Sequence, residues 1–379
     1  MKPESPFRIL LVGGGTGGHF YPLVAIAEAL KKLPDGPALY YAGPDQYDKA
    51  SLDASQISFV RIDAGKRRRY TSFKNLIDLI RSFFGLLVAL IKLYVVYPDA
   101  VMSKGGYTSV PVVLAAAFLR IPIVVHESDA VMGRANKIGS RFARAVVLSY
   151  EGVSVGESKA ETYLLGIPMR SALTLPPTRD AIEHLGIDPD RPVVLILGGS
   201  QGAERVNNLI LDSLDELLRD FTVIHQTGSS HHALCVQTAD NLIKDENQRK
   251  HYHPFALLDA RTLNDAYHIG SIVIARAGSG SIHEIALHGK PSILIPIPEE
   301  ISHDQRTNAY TYARTGAAVV LEEENLTDGL LRAEIDRIML DQATYTSMID
   351  AARAFARPNA SENIANLLMG IAYEHKNTK

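Results

Sequence analysis

The chain has 379 residues, of which 46% are hydrophobic and 21% are charged, and its formal net charge at pH 7 is −3. This composition predicts about two globular domains with ordinary cores and gives no general attraction for nucleic acid. The single cysteine, Cys235, excludes a disulfide framework. No secretory signal precedes the first predicted strand, and no apolar run reaches the ~18 residues of a spanning helix, so we expect a cytoplasmic protein.

The chain opens with a predicted strand, a glycine-rich turn and a predicted helix. Residues 9–12 are an apolar run typical of a buried parallel strand, and residues 21–30 have helical spacing, with Pro22 in the first turn. Between them, residues 13–18 are all glycine except Thr16. Such a turn aims backbone N–H groups and a positive helix end at an anion, so we interpret it as a ligand-binding turn. The alternative is a tight turn that needs glycine only for its backbone angles.

Two nucleotide-binding motifs nearly fit this turn. Its glycines satisfy G-x-G-x-x-G, but the acid expected at the end of the second strand, residues 38–42, is missing. The glycines also have P-loop spacing, but His19 occupies the lysine position. We therefore predict neither a nicotinamide site nor an ATP site. His19 either acts as a general base on a substrate hydroxyl or donates to a nearby carbonyl, and its position alone leaves both open.

The first half continues as alternating strands and helices, which indicates a doubly wound α/β domain. Further strands are predicted at residues 100–103, 123–126 and 145–149, and Pro111 is expected to open an apolar helix. The loop at residues 126–133 (HESDAVMG) follows a strand, where open α/β sheets bind ligands.

One interval departs from that pattern. Residues 65–69 read GKRRR, and residues 73–97 are strongly apolar. A core helix needs one apolar stripe, but here the apolar residues cover more than one face. We expect some to remain exposed beside Lys66, Arg67, Arg68, Arg69, Lys74 and Arg81, as a patch that contacts an anionic membrane surface. The alternative is a plain core helix.

The second half repeats the opening unit after a boundary near residues 166–179. Strands are predicted at residues 193–197, 221–225, 271–275, 293–297 and 317–321. A glycine-rich turn at residues 198–203 leads into a helix from about residue 205, and another at 276–281 leads into a helix over 282–288. The tail at 330–373 is predicted to be mostly helical. Two similar α/β domains with facing glycine turns predict a ligand cleft between them.

The second half contains polar residues that are candidates for metal and nucleotide binding. Asp188-Pro189-Asp190 matches the D-x-D pattern of a metal-binding motif, but we interpret it as a turn. The paired histidines lack further side chains that could complete a metal site. We predict no metal and no cofactor. A nucleotide diphosphate is expected at the helix start after Gly278, with Glu284 accepting hydrogen bonds from ribose hydroxyls. The alternative is that Glu284 only complements the helix dipole.

Taken together, six motifs resemble one known family. They are GGGTGGH at 13–19, GGYTSVP at 105–111, HES at 126–128, GGSQGA at 198–203, RAGSGSIHE at 276–284 and HDQRTNA at 303–309. In this order they are similar to the MurG-type N-acetylglucosaminyltransferases of bacterial peptidoglycan synthesis. The resemblance implies a glycosyltransferase-B fold, with two Rossmann-like doubly wound domains facing across a cleft.

The resemblance also implies a reaction. UDP-N-acetylglucosamine is the implied donor, and the C4 hydroxyl of undecaprenyl-diphosphate-linked N-acetylmuramyl-pentapeptide is the implied acceptor. Transfer would proceed with inversion and without a metal. The implied location is the cytoplasmic face of the cell membrane, as a peripheral protein. Another glycosyltransferase-B enzyme with a different acceptor, a UDP-sugar epimerase and an inactive binding protein of the same fold are the alternatives.

The motifs also imply roles for residues and domains. Residues 1–168 would bind the acceptor and the membrane, residues 169–355 the UDP-sugar, and residues 356–379 form a helical tail that packs back on the first domain. His19 is the implied catalytic residue. The implied substrate-binding residues are Thr16, Gly17, Gly18, Asp129, Arg170, Ser200, Ala256, Ser279, Gly280, Ser281, Ile282, His283, Glu284 and Gln305. The family usually has asparagine where this chain has Asp129, and asparagine where it has Ile167.

Overall fold

The computed structural model describes residues 6–34, 36–63, 73–198, 203–299 and 303–378, without the side chains of residues 73–82, 303 and 328. Contacts divide the chain into two units, which are described separately. The first comprises Met1–Ser171 and Arg357–Lys379, and the second comprises Ala172–Ala356. Ser200 and the basic residues Lys66, Arg67, Arg68 and Arg69 lie outside the described residues.

Each unit is built on one parallel sheet. In the first unit the described strands run in the order β3-β2-β1-β4-β5-β6-β7, and in the second in the order β10-β9-β8-β11-β12-β13. The strands are β1 (Arg8–Val12), β2 (Ala38–Gly43), β3 (Ser58–Arg61), β4 (Ala100–Ser103), β5 (Ile123–Glu127), β6 (Ala145–Leu148), β7 (Glu161–Leu164), β8 (Val193–Leu197), β9 (Thr222–Gln226), β10 (Tyr252–Phe255), β11 (Ile272–Ala275), β12 (Ser292–Leu294) and β13 (Ala318–Val320). The first six strands of each unit follow the same Rossmann order.

Helices connect these strands. They are α1 (Gly17–Lys31), α2 (Lys49–Ala54), α3 (Phe73–Val96), α4 (Ser109–Phe118), α5 (Arg134–Ser140), α6 (Ala181–His184), α7 (Glu204–Asp220), α8 (His232–Leu242), α9 (Glu246–Arg249), α10 (Ala260–Ile269), α11 (Ser279–Leu287), α12 (His303–Ala313), α13 (Asp328–Leu340), α14 (Gln342–Phe355) and α15 (Ala360–Asn377). The last helix belongs to the first unit: it packs on α1 and places Ile364 and Leu368 in the same core as Ile9 and Leu11.

The sequence predicts all the central strands and one edge strand, β13. Strands β1, β2, β4, β5, β8, β11 and β12 carry fully or mostly buried apolar runs, so the pattern of side chains identifies them. The edge strands β3, β7 and β10 were not predicted. Apart from the buried Tyr252 of β10, their residues are half-buried or exposed, so these strands lack a buried apolar run that would reveal them.

Three helices begin earlier than predicted. Helix α1 starts at Gly17 and not at residue 21, so Pro22 is inside the helix and not in its first turn. Helix α4 starts at Ser109, two residues before Pro111. Helix α11 starts at Ser279, three residues before the predicted start. Each true start is a glycine or serine with poor helix propensity, and the tertiary fold overrides that preference.

Helix α3 presents an apolar face to solvent, which confirms for the described side chains that part of this segment remains exposed. Ala89 and Leu93 are buried, whereas Phe84, Ile91 and Val95 are 60%, 64% and 72% exposed. The exposed positions recur at helical spacing, so they form one stripe. Within the described residues, no helix combines the length and apolar character needed to cross a membrane.

Gly85 seats α3 on the first unit. A Cβ atom at this position would lie 2.2 Å from the carbonyl oxygen of Asp63, far inside the contact distance of two atoms. Because that oxygen belongs to the backbone, no rotamer change can relieve the clash. Any residue larger than glycine must therefore push α3 away from the loop that follows β3.

Replacing Gly85 with alanine should lower the free energy of unfolding by about 1–3 kcal/mol, the usual cost of overpacking. Gly370 is the matched control, since it lies inside helix α15 and a Cβ there would meet none of the described residues within 4 Å. Gly370→Ala should raise stability by up to about 1 kcal/mol, because alanine favours helix. Denaturant unfolding of both variants checks the contrast, and equal effects would contradict the seating.

Candidate functional site

The strand order creates one topological switch point in each unit. Strand β1 pairs with β2 on one side and β4 on the other, and β8 pairs in the same way with β9 and β11. The connections that follow β1 and β4 leave toward opposite faces of the sheet, and so do those that follow β8 and β11. This opens a crevice at the carboxyl ends of each strand pair. All four strands beside these points are followed by the glycine-rich segments that the sequence singles out.

In the first unit the crevice holds His19 and Thr16. His19 is the third residue of α1, half-buried, and its Nδ1 lies 2.8 Å from Thr16 Oγ1. If Nδ1 carries the hydrogen and donates it to Thr16, Nε2 keeps its lone pair and can accept a proton. Gly17 and Gly18 form the first turn of α1, where backbone N–H groups lack helical partners.

Lys104 lies beneath this turn, and the sequence analysis did not single it out. It directly follows β4, is only 1% exposed, and donates from Nζ to Ser128 Oγ. Gly13 must be glycine because a Cβ there would be 2.7 Å from Lys104 Cβ. Burial lowers the pKa of Lys104 to about 8, while the negative charges of Glu127 and Asp129 oppose that shift.

The positive charge of Lys104 acts on His19. Burial, with a further contribution from Lys104, lowers the pKa of His19 to about 4. The imidazole is therefore neutral at pH 7, which is the form that can accept a proton.

Glu127 organises the loop that carries Asp129. Its carboxylate accepts hydrogen bonds from the backbone N–H of Asp129 at 3.0 Å and of Gly133 at 2.8 Å, and from Asn136 Nδ2 at 2.8 Å. This side chain is 3% exposed, so its role is to shape the loop. Asp129 itself is half-buried and faces the charge of Lys104.

Arg170 approaches the same helix from the end of the unit. Its guanidinium lies 4.6 Å from the centre of the Tyr21 ring, a cation–π contact. The Tyr21 hydroxyl lies 3.5 Å from Asp48 Oδ2. Arg170 is thus held against α1, one turn beyond the glycine-rich turn.

In the second unit, α11 starts at the switch point. Ser279, Gly280 and Ser281 are its first three residues, so their backbone N–H groups lie at the positive end of the helix. Among the described residues, a Cβ at Gly278 or Gly280 would meet no atom within 4 Å. Packing among the described residues therefore does not account for these two glycines, and the space beside them suits a ligand.

The next residues of α11 point in different directions. Ile282 is fully buried, and His283 is buried with its Nδ1 2.9 Å from the Ser279 carbonyl oxygen. Both side chains belong to the packed interior. Glu284 is half-buried, and its Oε2 accepts a hydrogen bond from the Tyr267 hydroxyl at 3.1 Å.

Two other predicted residues follow strands of the same sheet. Gln305 lies in α12, and its Oε1 accepts from the backbone N–H of Ile297 at 3.3 Å, just beyond β12. Ala256 directly follows the edge strand β10, and the backbone N–H of Leu258 donates to Gln226 Oε1 at 3.0 Å to hold that segment. The GGSQGA turn contains Ser200 and follows β8, but four of its residues, 199–202, lie outside the described part of the chain.

The Asp188-Pro189-Asp190 segment is a turn, as predicted. The backbone N–H of Asp190 donates to Asp188 Oδ1 at 3.0 Å. Within the described residues, no three His, Cys, Asp or Glu side chains are grouped so that they could hold a metal ion. A cavity of about 530 Å³ in the second unit is lined by residues of this turn together with Thr178 and His268.

Comparison with known proteins places these features in one family. The sequence matches the glycosyltransferase family 28 N-terminal domain over residues 9–148 and the family 28 C-terminal domain over residues 193–364. The UDP-N-acetylglucosamine--N-acetylmuramyl-(pentapeptide) pyrophosphoryl-undecaprenol N-acetylglucosamine transferase of Lachnospira eligens is 34% identical over 363 residues, which are 95% of this chain and 98% of its own. A relative of the same name from Bacillus thuringiensis strain Al Hakam is 32% identical over 96% of this chain and 99% of its own.

Solved structures agree with that result. The crystal structure of Acinetobacter baumannii MurG is 25% identical, with a TM-score of 0.76 over 96% of this chain and 100% of that one. A UDP-N-acetylglucosamine 2-epimerase is 15% identical, with a TM-score of 0.66 over 97% of this chain and 98% of that one. The epimerase shares the fold alone, so the fold by itself does not separate these two chemistries.

The pKa of His19 gives a direct test of the first-unit geometry. In an NMR titration His19 should protonate near pH 4 and not near its ordinary 6.5. Lys104→Met removes the nearby charge, so the pKa should rise but stay below 6.5, because burial remains. Lys92→Met, which removes an exposed lysine of the same unit, should change nothing. An unchanged His19 pKa in Lys104→Met would contradict the coupling.

Proposed function

The chain belongs to the MurG-type N-acetylglucosaminyltransferases of glycosyltransferase family 28, and we propose its reaction from that membership. It transfers N-acetylglucosamine from UDP-N-acetylglucosamine to the C4 hydroxyl of undecaprenyl-diphosphate-linked N-acetylmuramyl-pentapeptide. The product is the disaccharide lipid precursor of peptidoglycan. The observation that carries this proposal is the 34% identity along nearly the full length of both chains.

The second unit supplies the donor site. The diphosphate of UDP lies on the first turn of α11, where the N–H groups of Ser279, Gly280 and Ser281 are at the positive end of the helix. Glu284 accepts hydrogen bonds from the ribose hydroxyls. Gln305, Ala256 and Ser200 complete the site. As the bond between C1 of the sugar and the phosphate breaks, the helix end stabilises the charge that develops on UDP.

The first unit supplies the acceptor site and the base. The acceptor site is lined by Thr16, Gly17, Gly18 and Asp129. Arg170 reaches toward a substrate diphosphate. The acceptor hydroxyl gives its proton to His19 Nε2 as its oxygen bonds to C1 from the face opposite UDP, so the configuration inverts. With its pKa lowered to about 4, His19 is neutral at pH 7 but weakly basic, so it takes the proton as the acceptor oxygen bonds to C1, when the hydroxyl becomes strongly acidic. We propose that the transfer needs no metal ion.

An assay separates this function from its alternative. Release of UDP should require the lipid-linked acceptor, whereas an epimerase would alter the donor without it.

His19→Ala should lower turnover by about two orders of magnitude and leave UDP affinity near normal, because general-base catalysis contributes on that scale. A large loss of melting temperature in His19→Ala would favour a structural role, and turnover close to that of the parent protein would exclude His19 as the base.

We further propose that the protein works as a peripheral protein at the cytoplasmic face of the cell membrane, where its acceptor is anchored. Support comes from the exposed stripe of α3 and from Phe118. Helix α4 packs on α3, and Phe118 at the end of α4 is 77% exposed. Lys92 is exposed on the same helix. An apolar surface with nearby cations suits an anionic membrane, each near-surface cation contributing about 1 kcal/mol.

Vesicle sedimentation tests this location. Binding should be stronger on anionic vesicles and weaker at high salt. Ile91→Gln with Val95→Gln, or Arg67, Arg68 and Arg69 all to Glu, should release the protein and spare turnover on a soluble short-chain acceptor. Leu340→Gln is the matched control, because Leu340 is 83% exposed in the other unit. Vesicle binding that is unchanged in the α3 variants, or an absence of binding at low salt, would refute the membrane proposal.

A further inference from the structure

We propose that Tyr267 is a positioning residue for donor recognition: its hydroxyl holds the Glu284 carboxylate in the orientation that reads the ribose hydroxyls of the nucleotide. The proposal rests on the donor site described above and adds a residue to it. Tyr267 lies on α10, outside every motif of the sequence analysis.

The contact between the two side chains is well placed for this role. Tyr267 is fully buried, whereas Glu284 is half-buried at the sixth position of α11. The hydroxyl donates to Glu284 Oε2 from the buried side at 3.1 Å. A long acidic side chain has several rotamers, and a hydrogen bond from a buried donor selects one of them. The carboxylate is thereby ordered before the nucleotide arrives, which reduces the entropy cost of binding.

Tyr267 can fix its partner because its own ring is fixed. The ring stacks on His288 with centroids 4.6 Å apart and planes inclined by 15°. His288 Nδ1 lies 2.7 Å from the backbone carbonyl oxygen of Glu284. His288 thus bonds the backbone of the residue whose carboxylate Tyr267 bonds. The tyrosine, the histidine and the end of α11 form one connected frame.

The tyrosine also remains a donor at every working pH. Burial, followed by the negative charge of Glu284 and by the hydrogen bond to it, raises the pKa of Tyr267 well above its ordinary value. The hydroxyl therefore keeps its hydrogen, and a buried donor facing a carboxylate has a strong, charge-assisted bond.

A purely structural role would predict a different result. Tyr267 belongs to the second unit's core, so its hydroxyl bond could serve only the stability of that core. In that case Tyr267→Phe would lower the melting temperature and leave nucleotide affinity unchanged. A positioning role predicts a loss of affinity that depends on the ribose hydroxyls.

Tyr312→Phe is the matched control. Tyr312 is also fully buried in the same core, but in the described part of the chain its hydroxyl has no hydrogen-bond partner. Both changes remove one oxygen atom from a buried ring. Only the change at Tyr267 removes a bond to Glu284, so any difference between the two variants reports on that bond.

The experiment measures steady-state kinetics for UDP-N-acetylglucosamine and binding of UDP and of 2′,3′-dideoxy-UDP by calorimetry. Tyr267→Phe should raise the donor KM about tenfold with little change in kcat, the scale of one hydrogen bond to a charged group. It should also reduce the preference for UDP over the dideoxy nucleotide. Tyr312→Phe should match the parent protein in both measurements. Combining Tyr267→Phe with Glu284→Gln should add little to Glu284→Gln alone.

The outcomes separate this proposal from the function on which it rests. If Glu284→Gln loses ribose preference and Tyr267→Phe does not, the positioning role is wrong and the donor site stands. If neither variant affects ribose preference, Glu284 is not the ribose-binding residue and both assignments fall. If Tyr267→Phe only lowers the melting temperature and keeps the parent KM, the bond serves stability and the proposal is overturned.

Discussion

Each sheet reverses its strand order beside its first strand, and the candidate site depends on that reversal. Strand β1 lies between β2 and β4, and β8 lies between β9 and β11. The two connections that leave such a strand pair must cover opposite faces of the sheet, so neither of them fills the space at the carboxyl ends. The described glycine-rich segments, residues 13–18 in the first unit and 276–281 in the second, lie at those carboxyl ends. The reversal therefore explains why the chemically informative residues of a long chain gather at two places.

The two units use their crevices differently because different groups are buried beneath them. In the first unit a buried ammonium, Lys104, faces Glu127 and Asp129, and its charge adds to the burial that lowers the pKa of His19. In the second unit a buried hydroxyl, Tyr267, faces Glu284. A buried charge or donor is costly unless it is paired, so each of these groups is tied to specific partners. In the first site these partners are the carboxylates of Glu127 and Asp129, and in the second the hydroxyl of Tyr267 orders the carboxylate of Glu284.

Helix α3, on the outside of the first unit, has one closely packed face and one exposed face. Its close seating requires Gly85, since only the absence of a side chain lets the helix approach the Asp63 carbonyl. The face that rests on the unit carries Ala89 and Leu93, and the opposite face carries large apolar residues in contact with solvent. Burying one face of an apolar helix leaves the other exposed, and the proposed membrane contact rests on that exposed face.

The sequence by itself determined the fold class, the buried central strands, the glycine-rich turns and the family, because runs of apolar residues and glycine spacings are local properties of a chain. It also identified His19, Glu284 and the glycine-rich turns as the places where chemistry was expected, although it put the starts of α1, α4 and α11 too late. Only the tertiary structure revealed that Lys104 lies beneath His19, that Tyr267 holds Glu284, that the side chains of Ile282 and His283 face the core, and that β3, β7 and β10 complete the sheets. The physical reason is distance along the chain. Lys104 is 85 residues from His19, and a pKa or a hydrogen bond depends on which groups the strand order brings into contact, which no local pattern encodes.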